Sequence, residues 1–274
     1  MIDLAAHHWT ARLLPEQGAA FASLAWHGHP VLAPLPAGAH PNTGMAGAFI
    51  MAPWANRLDH GHFGNHQLPM NRPEDSTAIH GISRDHPWRL VSQSHAAVVL
   101  AQHIAYPPFD YLARLELTLL EDGLTLALSL TNQSPNPVPF GLGWHPFFAR
   151  PAGTQLRFAA TQRLTPDARG LPIGATPSPG ITNAAPDYDG LDHCFTGWDG
   201  TLTITRPDLT LQLHATGAWA QHLQVFAPTG ANFLCAEPAS HAPNAPNQPG
   251  AMPALAPGAT LHAQLTLAAH LARG

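Results

Sequence analysis

The sequence contains no lysine; all 12 of its basic residues are arginine. Without a side-chain amine no Schiff base can form, which excludes pyridoxal-phosphate enzymes and lysine-dependent aldolases. A P-loop is excluded as well, because its motif requires Lys. Cysteine is nearly as scarce. Cys194 and Cys235 are too few for a disulfide framework in 274 residues, and neither sits in a Cys-x-x-Cys pair. Charged residues make up only 11% of the chain, with a formal net charge of −5. There is no basic cluster for nucleic acid and no basic helix for a membrane surface. No window of 18 consecutive apolar residues and no basic, then apolar, N-terminal leader is present. The expectation is a reduced, cytoplasmic protein, monomer or homodimer, with neither nucleic acid nor membrane as partner. Helical periodicity over ten or more residues, internal repeats and a linker between halves are also absent, so residues 1–274 are expected to form a single domain.

What is present is apolar residue in quantity, at 45%, enough for a sizeable core. Period-2 alternation is the dominant pattern. Leu115, Leu117 and Leu119 alternate with Glu116 and Thr118; Glu121-Asp-Gly123 turns the chain; Leu124, Leu126, Leu128 and Leu130 alternate again. Residues 201–213 repeat the hairpin, and 260–267 add a further strand. The predicted class is all-β, a large sandwich. The stretches 33–47, 166–186 and 238–257 are rich in Pro, Gly or Ala and are expected to be loops; long loops in a compact fold are often functional.

Several residues stand out against this background. Gly141-Leu-Gly-Trp-His-Pro-Phe-Phe148 holds His145 between aromatics and before a proline that favours extended backbone. A histidine so placed is either a packed core residue or an acid–base group working near neutral pH. Of the five glutamates, Glu237 alone follows an apolar run, Phe233-Leu-Cys-Ala-Glu237. Burial there would raise its pKa and a nearby Arg would lower it. Phe49-Ile-Met-Ala-Pro-Trp-Ala-Asn-Arg57 runs from an apolar strand into Asn56 and Arg57, whose guanidinium fork suits hydroxyls or a carboxylate. Ile79-His-Gly81 presents His80 before a glycine, and residues 188–195 present Asp189 and Asp192. The His-x-His pairs 27/29 and 60/62 lie at glycine turns, with no further metal ligands converging in sequence.

Pro53-Trp-Ala-Asn-Arg-Leu58, Ile79-His-Gly81, Trp144-His-Pro-Phe-Phe148, Leu191-Asp-His-Cys-Phe195 and Cys235-Ala-Glu-Pro-Ala-Ser-His241 appear in the order seen in aldose 1-epimerases. From about residue 20 to about 268 the chain resembles that galactose mutarotase-like family. The resemblance implies a super β-sandwich of two large, mainly antiparallel sheets, a monosaccharide substrate and no cofactor or metal. It implies that His145 is the general acid on the sugar ring oxygen and Glu237 the general base on the anomeric hydroxyl. His80 would hydrogen-bond near the ring oxygen, and Arg57 and Asp192, with Asn56, would hold hydroxyls. Trp54, Trp144 and Phe147 would either stack on sugar faces or fill the core. Pro-Trp before Asn-Arg leaves the identity of the sugar open. Other readings remain. A hexose-6-phosphate 1-epimerase would draw on Arg57, Arg72, Arg84 and Arg89. A non-catalytic sugar-binding sandwich would need neither His145 nor Glu237. A metal enzyme would use several of the 19 histidines, and a glycosidase would use Asp192 and Glu237.

Overall fold

Strands alternating apolar and polar residues must bury one face, and here two large antiparallel sheets bury theirs against each other. The computed structural model describes residues 1–182 and 187–272. An eleven-stranded sheet carries, at its centre, the strands Ala48–Met51, Gly143–Ala149, Phe233–Ala239, His222–Ala227 and Leu191–Thr196, neighbouring one another in that order. A nine-stranded sheet contains the expected hairpin, with Phe109–Leu119 paired to Leu124–Asn132 through Leu119↔Leu124, and Thr260–Leu271 beyond it. Leu115, Leu117, Leu126 and Leu128 of this sheet join Ile50, Trp144, Phe148, Leu223 and Leu234 of the larger one in the main core. The helices among the described residues are three-residue 3-10 turns, and none is long and apolar enough to cross a membrane.

Part of the expected loop at 166–186 is strand instead: Pro172–Pro177 pairs with Gln162–Pro166, and Gly180–Ile181 pairs with Phe158–Ala159. The Pro172–Pro177 strand is almost wholly exposed, so it has no buried face to impose alternation, and its prolines hide it. Residues 183–186 of that stretch lie outside the described residues. The other two stretches, 33–47 and 238–257, are mainly loop, with short bridges and turns.

The larger sheet is buried on both faces at its centre; the Gly143–Ala149 strand is buried at six of its seven positions. Trp144 and Phe148 point to the main core, while Phe147 belongs with Phe49, Met51 and Cys235 to a second, smaller cluster on the opposite face. The turn at His80 crosses that second face, and its route depends on a glycine. Gly81 has φ +73°, and a Cβ there would stand 2.0 Å from the Ala52 carbonyl oxygen. That oxygen accepts the Ile82 and Ser83 N–H groups, both at 2.9 Å, and His80 donates its own N–H to the Asn56 carbonyl at 3.0 Å. Ser83 also meets the Tyr111 hydroxyl of the other sheet at 2.6 Å. Gly81→Ala should therefore lower unfolding stability by roughly 2–3 kcal/mol and displace His80; an unchanged urea midpoint would refute the close approach.

Candidate active site

Cross-strand pairing assembles the site. Cys194 pairs with Gln224, Gln224 with Glu237, and His145 with Phe49. Gly143↔Ala239 and Phe147↔Cys235 flank the remaining position, which sets His145 opposite Glu237. One rung of side chains thus runs across five strands on the second face of the sheet. The neighbouring rung carries Asp192, Phe226, Cys235 and Phe147. Because side chains on a strand alternate between faces, residues two apart share this face.

His145 Nε2 lies 3.3 Å from Glu237 Oε1, and both side chains are buried. The imidazole packs between Phe49, at 4.5 Å, and Phe147, at 4.7 Å between ring centres. His80 stands perpendicular to it at 5.0 Å. From Glu237 a polar chain leads outward. Gln224, its neighbour across the strands, donates from Nε2 to Asp192 Oδ1 at 2.6 Å, and Asp192 Oδ2 faces Arg57 Nη2 at 3.6 Å. Arg57 and Asp192 also line a cleft of about 280 Å³ with Asp75, Asp167, Arg169 and His193. A larger trough of about 550 Å³ lies over the nine-stranded sheet; of the residues singled out for sugar chemistry only Arg89 lines it.

Burial governs the electrostatics. It pushes the His145 pKa down to about 3, helped by the nearby Arg84 guanidinium. It pushes Glu237 well up, with the Asp192 carboxylate adding to the rise and Arg57 opposing it. His80 is pushed well down, by burial first and then by His145 and three arginines. Two protons on the His145–Glu237 pair would leave a buried imidazolium beside Arg84. Removing both would leave a buried carboxylate beside Asp192. The pair therefore holds one proton between Nε2 and Oε1 across neutral pH. Several buried polar atoms around it, among them His80 Nδ1, His145 Nδ1, Glu237 Oε2, Gln224 Oε1 and Arg57 Nε, have no hydrogen-bond partner among the described residues.

The structure brings together His145, Glu237, His80, Arg57 and Asp192. Trp54 is a correction. Its ring is in the main core, 2% exposed, stacked on Phe109 and beside Phe63, so it cannot meet a sugar. Trp144 is likewise core. Asn56 is a turn residue at φ +57° whose Oδ1 accepts the Arg57 N–H at 2.7 Å; it positions Arg57 and, through its carbonyl, His80. Asp189 is engaged by Arg150 at 2.6 Å. The His-x-His pairs stay apart as turns: His29 meets Asp208 at 3.0 Å and His60 meets Asp59 at 2.7 Å.

Three residues take places the sequence did not indicate, although Arg84 was a phosphate-binding candidate and His241 closes one of the family motifs. Gln224 is a lone amide in an apolar strand, a signal equal to that of Glu237. Arg84 is 9% exposed, with its guanidinium 5.0 Å over the Phe49 ring; nothing in Ser83-Arg-Asp85 announced its burial. His241 accepts the Ala55 N–H at Nε2, 3.1 Å, and donates from Nδ1 to the Ala242 carbonyl, 2.8 Å. With burial pushing its pKa down to about 4, it is a neutral clamp holding the Trp54–Arg57 turn to the strand end that bears Glu237.

Known proteins share this architecture. The chain is 29% identical over 245 residues to the uncharacterized protein YphB of Escherichia coli (strain K12), covering 81% of this chain and 83% of that one. A galactose mutarotase-like protein from Clostridium acetobutylicum superposes with a TM-score of 0.86 at 17% identity, over 98% of this chain and 95% of the other. Another, from Lactobacillus casei, gives 0.81 at 20% identity, over 98% and 100%. These two structures show a common fold. The family model described as aldose 1-epimerase matches residues 2–268, a span that contains all but the last three strand residues of the two sheets and every residue of the buried His145–Glu237 pair and its polar chain, and the chain belongs to that family of sugar epimerases.

Proposed function

We propose that the protein is a mutarotase that interconverts the α and β anomers of a hexose. The observation that carries this reading is the buried His145–Glu237 pair at 3.3 Å, flanked by hydroxyl-binding groups. Mutarotation opens a hemiacetal ring, turns the C1–C2 bond and closes the ring on the other face of C1. Opening needs a proton on the ring oxygen and the loss of one from the anomeric hydroxyl. His145 delivers the first and Glu237 removes the second; closure reverses the roles. Each positioned transfer is worth about 10²–10⁴-fold. The pair begins with one proton and ends with one, so no cofactor is required. His80 offers Nδ1 near the ring oxygen. Arg57, Asp192 and Gln224 hold ring hydroxyls, which satisfies the buried polar atoms that lack protein partners.

The phosphorylated-sugar reading requires free cations that converge. Arg72 is taken up by Glu74 at 2.6 Å and Asp75 at 2.9 Å, Arg57 faces Asp192, Arg84 lies buried over the Phe49 ring with Asp85 at 3.9 Å, and Arg89 is exposed on the edge strand of the other sheet, so the four do not converge. A neutral hexose is favoured.

Polarimetry on freshly dissolved α-D-glucose and α-D-galactose should show rotation decaying faster with protein than without. Glu237→Gln and His145→Asn should each lose at least about 10²-fold of that acceleration while keeping the wild-type circular dichroism. Wild-type turnover in either variant would remove that residue from the mechanism. Failure with both sugars would direct the search to acidic sugars or to a binding role.

The pH profile carries a second expectation. Only the one-proton state of the pair is competent, so the rate falls at low pH as His145 and Glu237 both become protonated, and at high pH as the last proton leaves. Burial moves the acid limb down and the alkaline limb up. Turnover corrected for the spontaneous rate should therefore stay flat through the ordinary histidine pKa of about 6.5. A single steep limb near the ordinary histidine pKa would contradict it.

A further inference from the structure

Cys235 sits two residues before Glu237 and hence on the same face of the strand, on the rung beside His145. Its Sγ, a His145 ring nitrogen and a Glu237 carboxylate oxygen all lie within 4.8 Å of one another, and among the described residues these three form the one such group of metal-ligating side chains. We propose that they constitute a binding site for a thiophilic divalent cation, Zn²⁺ or Cd²⁺, and that occupation of this site blocks the acid–base pair.

The donor set is one sulfur, one imidazole nitrogen and one carboxylate oxygen, a combination suited to a tetrahedral borderline or soft ion and unsuited to Mg²⁺ or Ca²⁺. The geometry is close to what such an ion demands. Two ligand atoms each about 2.0–2.1 Å from a tetrahedral centre stand about 3.3–3.4 Å apart, and His145 Nε2 and Glu237 Oε1 are separated by 3.3 Å. The sulfur lies within 4.8 Å of the other two donors and has to close to about 3.5 Å to share one tetrahedral ion with them. A thiolate and a carboxylate together carry two negative charges, which a divalent ion neutralises in a buried place; their protons pass to solvent as the ion binds. Glu237 Oε2 is buried without a hydrogen-bond partner among the described residues, so the carboxylate has capacity beyond its contact with His145. Three protein ligands leave a fourth position for water. The bound ion takes the lone pair of Nε2 and the carboxylate oxygen that proton transfer uses, so metal and sugar compete.

The binding stands on geometry alone; the inhibition rests on the mutarotase reading. Titration of the full chain with Cd²⁺ tests the first, through the ultraviolet thiolate-to-cadmium charge-transfer band and equilibrium dialysis. Wild type and Cys194→Ala should bind one Cd²⁺ with the band, and Zn²⁺ should displace it. Cys235→Ala should lose the band and bind that ion at least about tenfold more weakly; Cys235→Ser serves if the Ala variant misfolds. A band that survives loss of Cys235, or no band in the wild type, overturns the site. For the second, the ratio of mutarotation rates with and without Zn²⁺ should drop in wild type and stay near one in Cys235→Ala. Saturation by Zn²⁺ with an undiminished wild-type rate overturns the inhibition. A wild type with no mutarotation at all would overturn the proposed activity and leave the spectroscopic result to decide the site.

Discussion

The site depends on one cross-strand register, the one that sets the strand Gly143–Ala149 against Phe233–Ala239 so that an imidazole faces a carboxylate. Two buried ionisable groups are expensive, several kcal/mol for each full charge. Holding a single proton between them avoids most of that cost, and it leaves a proton ready to move in either direction. A reaction whose forward and reverse halves exchange acid and base is served by such a symmetric state. The aromatic rings on either side of His145 keep its orientation, and Gln224, beside Glu237 on the rung, donates to Asp192.

The central strands of the larger sheet are buried on both faces, and each face has its own task. One carries Trp144, Phe148 and Leu234 into a core shared with the nine-stranded sheet. The other carries the polar rung and a small apolar cluster around Phe49. Side chains carried on the backbone of a sheet inherit its rigidity. The groups that come from loops need separate anchors: the Gly81 crossing fixes His80, and the His241 clamp fixes the turn bearing Arg57.

Much of the fold was legible because alternation marks strands with one buried face, as in Leu115–Leu130. It failed where a strand has no buried face, as at Pro172–Pro177. The pair His145 and Glu237 could be seen as single polar residues inside apolar runs. Gln224 sent the same signal and was overlooked because an amide does not titrate. Trp54 misled because an aromatic next to Asn-Arg suggests a sugar platform, whereas the chain buries it under the turn. Arg84 was illegible, since its burial comes from the packing of distant residues over Phe49.

Alternation gives this site the logic of a parity check. Removing Trp144, the one residue between Gly143 and His145, would exchange odd and even positions beyond it, presenting Pro146 to the pocket and driving the imidazole into the core. No repacking of neighbours repairs such an error, whereas the same change in the loop at 33–47 leaves the count on the rungs intact. Length variation is thus barred from the strands and admitted in such a loop.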